Sequence, residues 1–189
     1  MVGTMASESA ARYRLVDSDL TKRALAVPAP GWRLSTPCEG WVAADIVEHL
    51  VEWVPSFLNE GSAIIFRPGP PVDAGPATSW PSMSDQIQGL LDDPEQAGRA
   101  FDHPMVGRHR LDEAVVAFVL PDVLVHTWDL ARATGLDEAL DELEVVRLLE
   151  RVQPLDQVIH RSGQYGPRVE VSTGADPQTR LIAFLGRQP

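Results

Sequence analysis

The sequence is poor in the residues that build disulfide frameworks and thiolate metal sites. It contains one cysteine, Cys38, and one lysine, Lys22, among 189 residues. A single cysteine excludes an internal disulfide framework and the paired-thiolate pattern of zinc fingers. A bound metal would therefore depend on histidine and carboxylate ligands.

Long uninterrupted apolar runs and an excess of positive charge are also lacking. No such run approaches the roughly 18 residues of a membrane span, and the N-terminal residues lack the apolar core of a signal peptide. The formal net charge is −11, and the acidic excess lies between residues 38 and 153. Because this field repels phosphate backbones, we expect no binding to nucleic acid. The lack of a signal peptide and of a membrane-length apolar run leads us to expect a cytoplasmic protein that does not bind a membrane.

The composition that remains is that of a globular helical domain. Hydrophobic residues make up 44% and charged residues 23% of the chain, which is ordinary for a folded soluble domain. The expected fold class is all-α, with a helical bundle over residues 1–153 and a C-terminal extension, residues 154–189, packed on it within one domain. Helical periodicity predicts helices over about 7–26, 43–59, 84–91, 111–135, 138–152 and 178–185, a long loop over 61–81, and an irregular or hairpin-like link over 101–109.

The most informative segment is Asp122-Val-Leu-Val-His126, in the middle of the longest apolar helical pattern. Four residues return an α-helix to within about 40° of its starting direction, so both side chains can reach one ion. His49 lies at the edge of the apolar face of the helix predicted near 43–59. The predicted inward stripe of the later helix contains Val115, Val119, Asp122, His126, Asp129 and Ala133.

Burying these polar groups without partners would cost several kcal/mol. We therefore predict that His49, Asp122 and His126 bind a divalent metal, because two imidazoles and one carboxylate leave coordination positions open. Zinc is the leading candidate, and nickel and iron suit the same ligands. Asp129 is expected to orient a ligand histidine, with Glu52 a weaker choice. The alternative is a buried Asp122–His126 pair that only fixes helix packing.

The other histidines form weaker patterns. His103 and His109, with Asp102 nearby, could make a competing loop site, although the link has no helical spacing to set ligand geometry. His160, beside Arg161, is expected at the surface.

Two further residues have both a chemical and an ordinary interpretation. Cys38 could be a nucleophile near the metal, but it is expected to pack in a turn, since the sequence identifies no basic partner that would activate its thiol. Arg132 follows the predicted ligand helix. It could contact an anionic group of a substrate, or it could form a surface ion pair.

Segments across nearly the whole chain are similar to a known family. They are Thr36-Pro-Cys-Glu-Gly-Trp41, Asp45-Ile-Val-Glu-His49-Leu, the segment from Asp122 to Gly135, and the ending from Tyr165-Gly-Pro-Arg-Val to Leu185-Gly-Arg. They resemble actinobacterial metal-binding proteins related to the N-terminal domain of mycothiol-dependent maleylpyruvate isomerase, in the DinB-like superfamily. The resemblance implies a four-helix bundle with a divalent metal, often zinc, at positions that match His49, Asp122 and His126.

This chain departs from the isomerase pattern in ways that bear on activity. Asp122 stands where the isomerase has glutamate, and Val42 stands where relatives often place a hydroxyl N-cap. The isomerase also has a separate C-terminal domain, which these residues do not include. Isomerase activity itself is therefore not carried over.

Three functional hypotheses follow. The first, which the resemblance implies, is a mycothiol-dependent transferase or isomerase-like enzyme, in which a metal-bound thiol attacks a small-molecule substrate. The second is a hydrolase that uses metal-bound hydroxide. The third is a non-catalytic metal-binding or stress-associated protein. A homodimer is plausible for a bundle of this size, although no sequence feature requires it.

Overall fold

The structure is a computed structural model that describes residues 2–157 and 165–189, with side-chain surroundings given from residue 8 onward. It is mostly helical, and it contains one feature outside the all-α class, at the link that was predicted as irregular or hairpin-like. This feature is a small antiparallel hairpin in which Ala100 pairs with Arg110 and His103 with Gly107. The predicted position of His160 lies outside the described residues.

The order of elements places the long helices on either side of the hairpin. A 3-10 turn, Ala29–Arg33, lies between the first two helices. The elements are α1 Val2–Ala26, α2 Ala43–Ser62, α3 Pro76–Asp92, α4 Pro94–Ala97, β1 Ala100–His103, β2 Gly107–Arg110, α5 Leu111–Ala114, α6 Leu120–Thr134, α7 Glu142–Val152 and α8 Pro177–Phe184.

The four long helices α1, α2, α3 and α6 surround the core. Helix α1 packs against α3 and α6, and α2 packs against the same two helices, so the contacts form a closed cycle. The predicted inward residues Tyr13 and Leu20 of α1 and Leu50 of α2 are fully buried. Burial of these faces supplies most of the stability of amphipathic helices.

Helix α2 starts without a side-chain cap from its N-cap residue, as the sequence predicts. Val42 has no acceptor, but its backbone N–H donates to Asp45 Oδ2 at 2.7 Å. The carboxylate of Asp45 also lies in the first turn, where a negative charge is favoured by the helix dipole. This contact, together with the hydrogen bond from the Ala43 N–H to the Leu34 carbonyl at 2.9 Å, holds the start of the helix that carries His49.

Helix α6 continues upstream through a π-helical turn, Val115–Val119, into α5. Gly135 ends it in the left-handed conformation, with φ 69°, as predicted. The stretch Leu111–Thr134 is long and apolar enough to cross a membrane by length and composition, although acidic residues interrupt it. In the structure most of it is buried, as in the core helix of a globular domain.

Two predicted helix boundaries were wrong. Helix α3 begins at Pro76 rather than near residue 84, because proline is tolerated in the first turn of a helix and Pro81 is accommodated inside it. Helix α7 begins at Glu142 rather than near residue 138. The Asp141 side chain accepts a hydrogen bond from the Glu144 N–H at 2.9 Å and caps this start.

The C-terminal residues return to the helical core. Helix α8 packs against α7, and the backbone crosses itself closely where Gly186 meets Gly166. A Cβ on Gly186, which has φ +82°, would lie 2.6 Å from the carbonyl of Gly166. Glycine therefore permits the turn that delivers Arg187 to the interior.

Candidate metal centre

The three predicted ligands come together between α2 and α6. His49 Nε2 lies 3.1 Å from Asp122 Oδ2, and His126 Nε2 lies 3.6 Å from Asp122 Oδ1. The three residues each offer one ligand atom within 4.8 Å of the others. The four-residue spacing of Asp122 and His126 therefore puts both side chains toward the histidine of α2.

The centre is open on one side. The side chains of His49 and Asp122 are 30% and 24% exposed, whereas His126 is only 7% exposed. Most of the predicted stripe is buried, but Asp122 lies at the boundary between core and solvent. The open side of the centre is therefore formed by His49 and Asp122.

Asp129 holds the imidazole of His126 from behind. His126 Nδ1 donates to Asp129 Oδ2 at 3.0 Å, which leaves Nε2 facing Asp122. Asp129 is fully buried, and its charge is balanced by Arg187, whose Nε and Nη2 donate to its two oxygens at 2.7 Å each. A carboxylate in this position commonly fixes the orientation of a ligand histidine, and that role of Asp129 stays a prediction.

The charges of this group are strongly coupled. Burial opposes the charge on His126, but Asp122, Asp129 and Cys38 outweigh it and raise the pKa of the imidazole to about 10. Burial also opposes ionisation of Asp129, but hydrogen bonds from His126 and Arg187 lower its pKa to about 2. The pKa of Asp122 is lowered because the two histidines outweigh the effect of burial. Without a metal, the centre is held by its own opposite charges.

Two tryptophans form the walls of the centre. Trp41 stacks on His126 with ring centroids 5.8 Å apart and tilts toward His49 at 5.2 Å. Trp53 stacks on His49 at 6.0 Å. Aromatic neighbours, as well as carboxylates, therefore hold both imidazole rings in their orientations.

A second group of potential ligands shares His126. Cys38, His126 and Asp129 also lie within 4.8 Å of one another. Cys38 Sγ donates to Asp129 Oδ2 at 3.5 Å and accepts from Arg187 Nη2 at 3.6 Å. Because Arg187 already occupies both oxygens of Asp129, a cation there would compete with a buried guanidinium. The geometry favours the group with His49.

The environment of Cys38 corrects the sequence interpretation. No basic partner for this thiol was identified in the sequence, yet Arg187 lies against it. The partner comes from a position 149 residues later in the chain, and no local spacing connects the two. Cys38 packs in a turn, as predicted, but this turn forms one wall of the charged centre.

The hairpin histidines do not form a competing site within the described residues. His103 Nδ1 accepts the backbone N–H of Met105 at 3.2 Å, and Nε2 lies 3.0 Å from Glu60 Oε2. His109 Nε2 contacts the carbonyl of Val106 at 2.9 Å. Asp102 pairs with Arg108 at 2.8 Å. His103 therefore links the hairpin to Glu60 of α2, and the other contacts lie within the hairpin.

The two remaining predicted contacts lie outside the centre. Arg132 forms an ion pair with Glu138 at 2.8 Å and lies over the ring of Trp128 at 4.7 Å. This is the surface pairing that the sequence left open, and its role toward a substrate stays a prediction. Glu52 is exposed and does not belong to either group of ligands.

Arg187 is the residue of the centre that sequence reasoning missed. It is 11% exposed, and it belongs to a C-terminal segment that was expected only to pack on the helices. Its one sequence signal is its place in the run Leu185-Gly-Arg that carries part of the resemblance. Trp41 was likewise quoted only as part of a motif, not as a wall of the site.

Comparisons with known proteins give distant similarity to proteins of unassigned function. The chain is 27% identical over 154 residues to uncharacterized protein Rv0738 of Mycobacterium tuberculosis strain ATCC 25618 / H37Rv, covering 80% of this chain and 82% of that protein. The same values hold for uncharacterized protein MT0763 of strain CDC 1551 / Oshkosh. No family model and no solved structure matches. The chain is therefore a helical protein with distant mycobacterial relatives and a candidate metal site.

Proposed function

We propose that this protein binds a divalent metal, with zinc as the leading candidate, through His49, Asp122 and His126 in a DinB-like four-helix bundle. The observation that carries the proposal is the convergence of two imidazole nitrogens and a carboxylate within 4.8 Å at the exposed end of a charged cluster. This donor set fits the open sites of zinc enzymes, in which three protein ligands leave a position for a reactant.

The residues around the ligands have distinct tasks in this proposal. Asp129 fixes His126 so that Nε2 faces the site, and Arg187 keeps Asp129 charged in the interior. Trp41 covers a face of His126. The exposed edges of His49 and Asp122 admit a reactant. When bound, the ion would supply Lewis acidity that lowers the pKa of a thiol in its open position.

We further propose that the reactant is a thiol such as mycothiol, and that the reaction is an S-transfer or isomerase-like addition to a small electrophile. The resemblance to the mycothiol-dependent isomerase supports this choice. The similarity to uncharacterized mycobacterial proteins is compatible with it but names no activity. Asp122 in place of glutamate changes the reach of the carboxylate, so the isomerase substrate is not carried over.

The test is cobalt substitution followed by titration with mycothiol. Thiolate coordination to cobalt gives a charge-transfer absorption that water or hydroxide does not give. We expect this band with mycothiol, no band with S-methylated mycothiol, and no band in His126→Ala. A cobalt-loaded protein that gives no band with mycothiol would contradict the thiol proposal while leaving metal binding intact. In a separate assay, turnover of a substrate in the absence of any thiol would indicate a hydrolase.

A further inference from the structure

A cavity lies along α2 and shares none of the proposed ligands of the candidate metal centre. It is bounded by one face of α2, the connection from residue 64 to 73, and the first half of α3, and its volume is about 680 Å³. This is within the range of small-molecule sites, roughly 300 to 1,000 Å³. Neither His49 nor the residues of α6 line it.

The wall of this cavity is mostly apolar. Ile65 contributes a side chain that is 87% exposed, and exposed apolar groups around a concave surface are typical of binding sites. The apolar lining includes Val51, Pro55, Ile64, Phe66, Val72 and Met83. An aliphatic or aromatic group would therefore be desolvated here.

The connection that forms the outer wall is held in place. Gln86 accepts a hydrogen bond from the Arg67 N–H at 2.8 Å and donates to the Arg67 carbonyl at 3.1 Å. Asn59 Nδ2 donates to the carbonyl of Ile64 at 2.9 Å. Three prolines, Pro68, Pro70 and Pro71, also restrict the backbone of this wall. The cavity is thus preformed rather than a gap under a loose loop.

The rim of the cavity is acidic. Glu48 and Glu52 are four residues apart on α2, and like charges at this spacing destabilise a helix. Asp73 adds a third carboxylate from the connection, and Arg67 is the one cationic side chain of the lining. Within the described part of the chain none of the three carboxylates has an ion-pair partner. A bound cation would relieve their repulsion.

We propose that this cavity binds a small organic cation with an apolar body, its charge at Glu48 and Glu52 and its body against the apolar wall. A bare divalent ion suits it less, because hard cations need several converging oxygen ligands. The three carboxylates do not form a group within 4.8 Å in the described residues. The wall and the acidic rim are complementary to opposite ends of one ligand.

The test is calorimetric titration of the full chain with benzyltrimethylammonium, a quaternary ammonium that cannot coordinate a metal. We expect it to bind at least tenfold more tightly than 3-phenylpropionate, which carries the opposite charge on a similar body. The double variant Glu48→Gln/Glu52→Gln should weaken binding at least tenfold. The matched control Glu142→Gln/Glu150→Gln changes the net charge equally at exposed positions of α7 and should bind as the wild type does.

Several outcomes would overturn this site. The first is that benzyltrimethylammonium shows no saturable binding to the wild type. The second is that 3-phenylpropionate binds as tightly as the cation, and the third is that both double variants lose the same affinity for the cation. If Ca²⁺ displaced benzyltrimethylammonium stoichiometrically, the site would be assigned to a metal ion instead of an organic cation. His126→Ala should bind benzyltrimethylammonium as the wild type does, because the cavity does not depend on the metal centre.

Discussion

The candidate metal centre and the β1–β2 hairpin contain the same residue types in different arrangements. Each contains two histidines, neighbouring carboxylates and an arginine–aspartate pair. In the centre, His49 and His126 face one carboxylate, and Asp129 is fully buried under Arg187. In the hairpin, the Arg108–Asp102 pair is 87% and 60% exposed.

The difference lies in where the imidazole nitrogens are directed. Both nitrogens of His103 have partners of their own, the Met105 N–H in the hairpin and Glu60 on α2. His126 uses Nδ1 for Asp129 and turns Nε2 toward Asp122 and His49. A histidine becomes a candidate ligand when its second nitrogen converges with other donors, and composition alone does not separate the two cases.

The largest expected effect is on stability. Arg187→Leu leaves the buried carboxylate of Asp129 without its guanidinium, and breaking a buried pair costs about 3–5 kcal/mol. Arg108→Leu removes the exposed partner of Asp102 and should cost at most about 1 kcal/mol. Denaturant unfolding of both variants measures the difference. Equal losses of unfolding free energy in the two variants would mean that burial does not distinguish the two ion pairs.

The next effect is on metal affinity. His126→Ala removes one of three proposed ligands and should weaken zinc binding more than about 100-fold, beyond the range for residues that only orient ligands. His109→Ala in the hairpin should leave the affinity unchanged. Elemental analysis and chelator competition give the result. Stoichiometric zinc in both variants would assign the metal elsewhere.

A smaller loss of affinity is expected from the residue behind the ligand. Asp129→Asn keeps the size of the side chain but removes the negative charge that orients His126, and such changes typically cost 10- to 100-fold. Glu60→Gln is the hairpin counterpart, since Glu60 is the partner of His103. Chelator competition on protein shown to be folded should detect a change only for Asp129→Asn.

Sequence patterns predicted the elements whose signals are local. Apolar periodicity identified α1, α2, α6 and the short α8, and Gly135 marked the end of α6 correctly. The start of α3 was missed because Pro76 and Pro81 were taken as loop signals, although proline fits the first turn of a helix. The hairpin was predicted only as an alternative, since four-residue strands carry little periodicity.

The same distinction applies to the site. The spacing of Asp122 and His126 predicts their shared helix face, and the buried position predicts a partner for Asp129. The partner itself, Arg187, is 58 residues away, and it reaches the core only because Gly186 lets two backbone segments cross. Such long-range pairings depend on how elements pack, which no local pattern encodes.

Another buried carboxylate, that of Glu144, tests whether a charged carboxylate in the core, such as Asp129, requires a histidine partner. Glu144 on α7 is 2% exposed and accepts from Arg12 Nε and Nη2 at 2.8 Å each and from Arg147 at 2.7 Å. Burial opposes its charge, but the hydrogen bonds and positive charges of Arg12 and Arg147 lower its pKa. It therefore resembles Asp129 without an imidazole neighbour.

The sign of its pH dependence follows from that lowered pKa. The unfolded chain binds the proton of this carboxyl more tightly than the folded one, so the contribution is present above the unfolded value, about 4.3. It is lost as pH falls through the lower folded value, with a slope of at most about 1.4 kcal/mol per pH unit. The stability advantage of wild type over Glu144→Gln should therefore shrink on acidification, whereas the advantage over Asp102→Asn should stay below about 1 kcal/mol throughout. Urea unfolding between pH 7 and pH 3 measures both differences in unfolding free energy. If the advantage of the wild type over Glu144→Gln grew toward acid, the guanidiniums would not stabilise the charged carboxylate, and the parallel with Asp129 would fail.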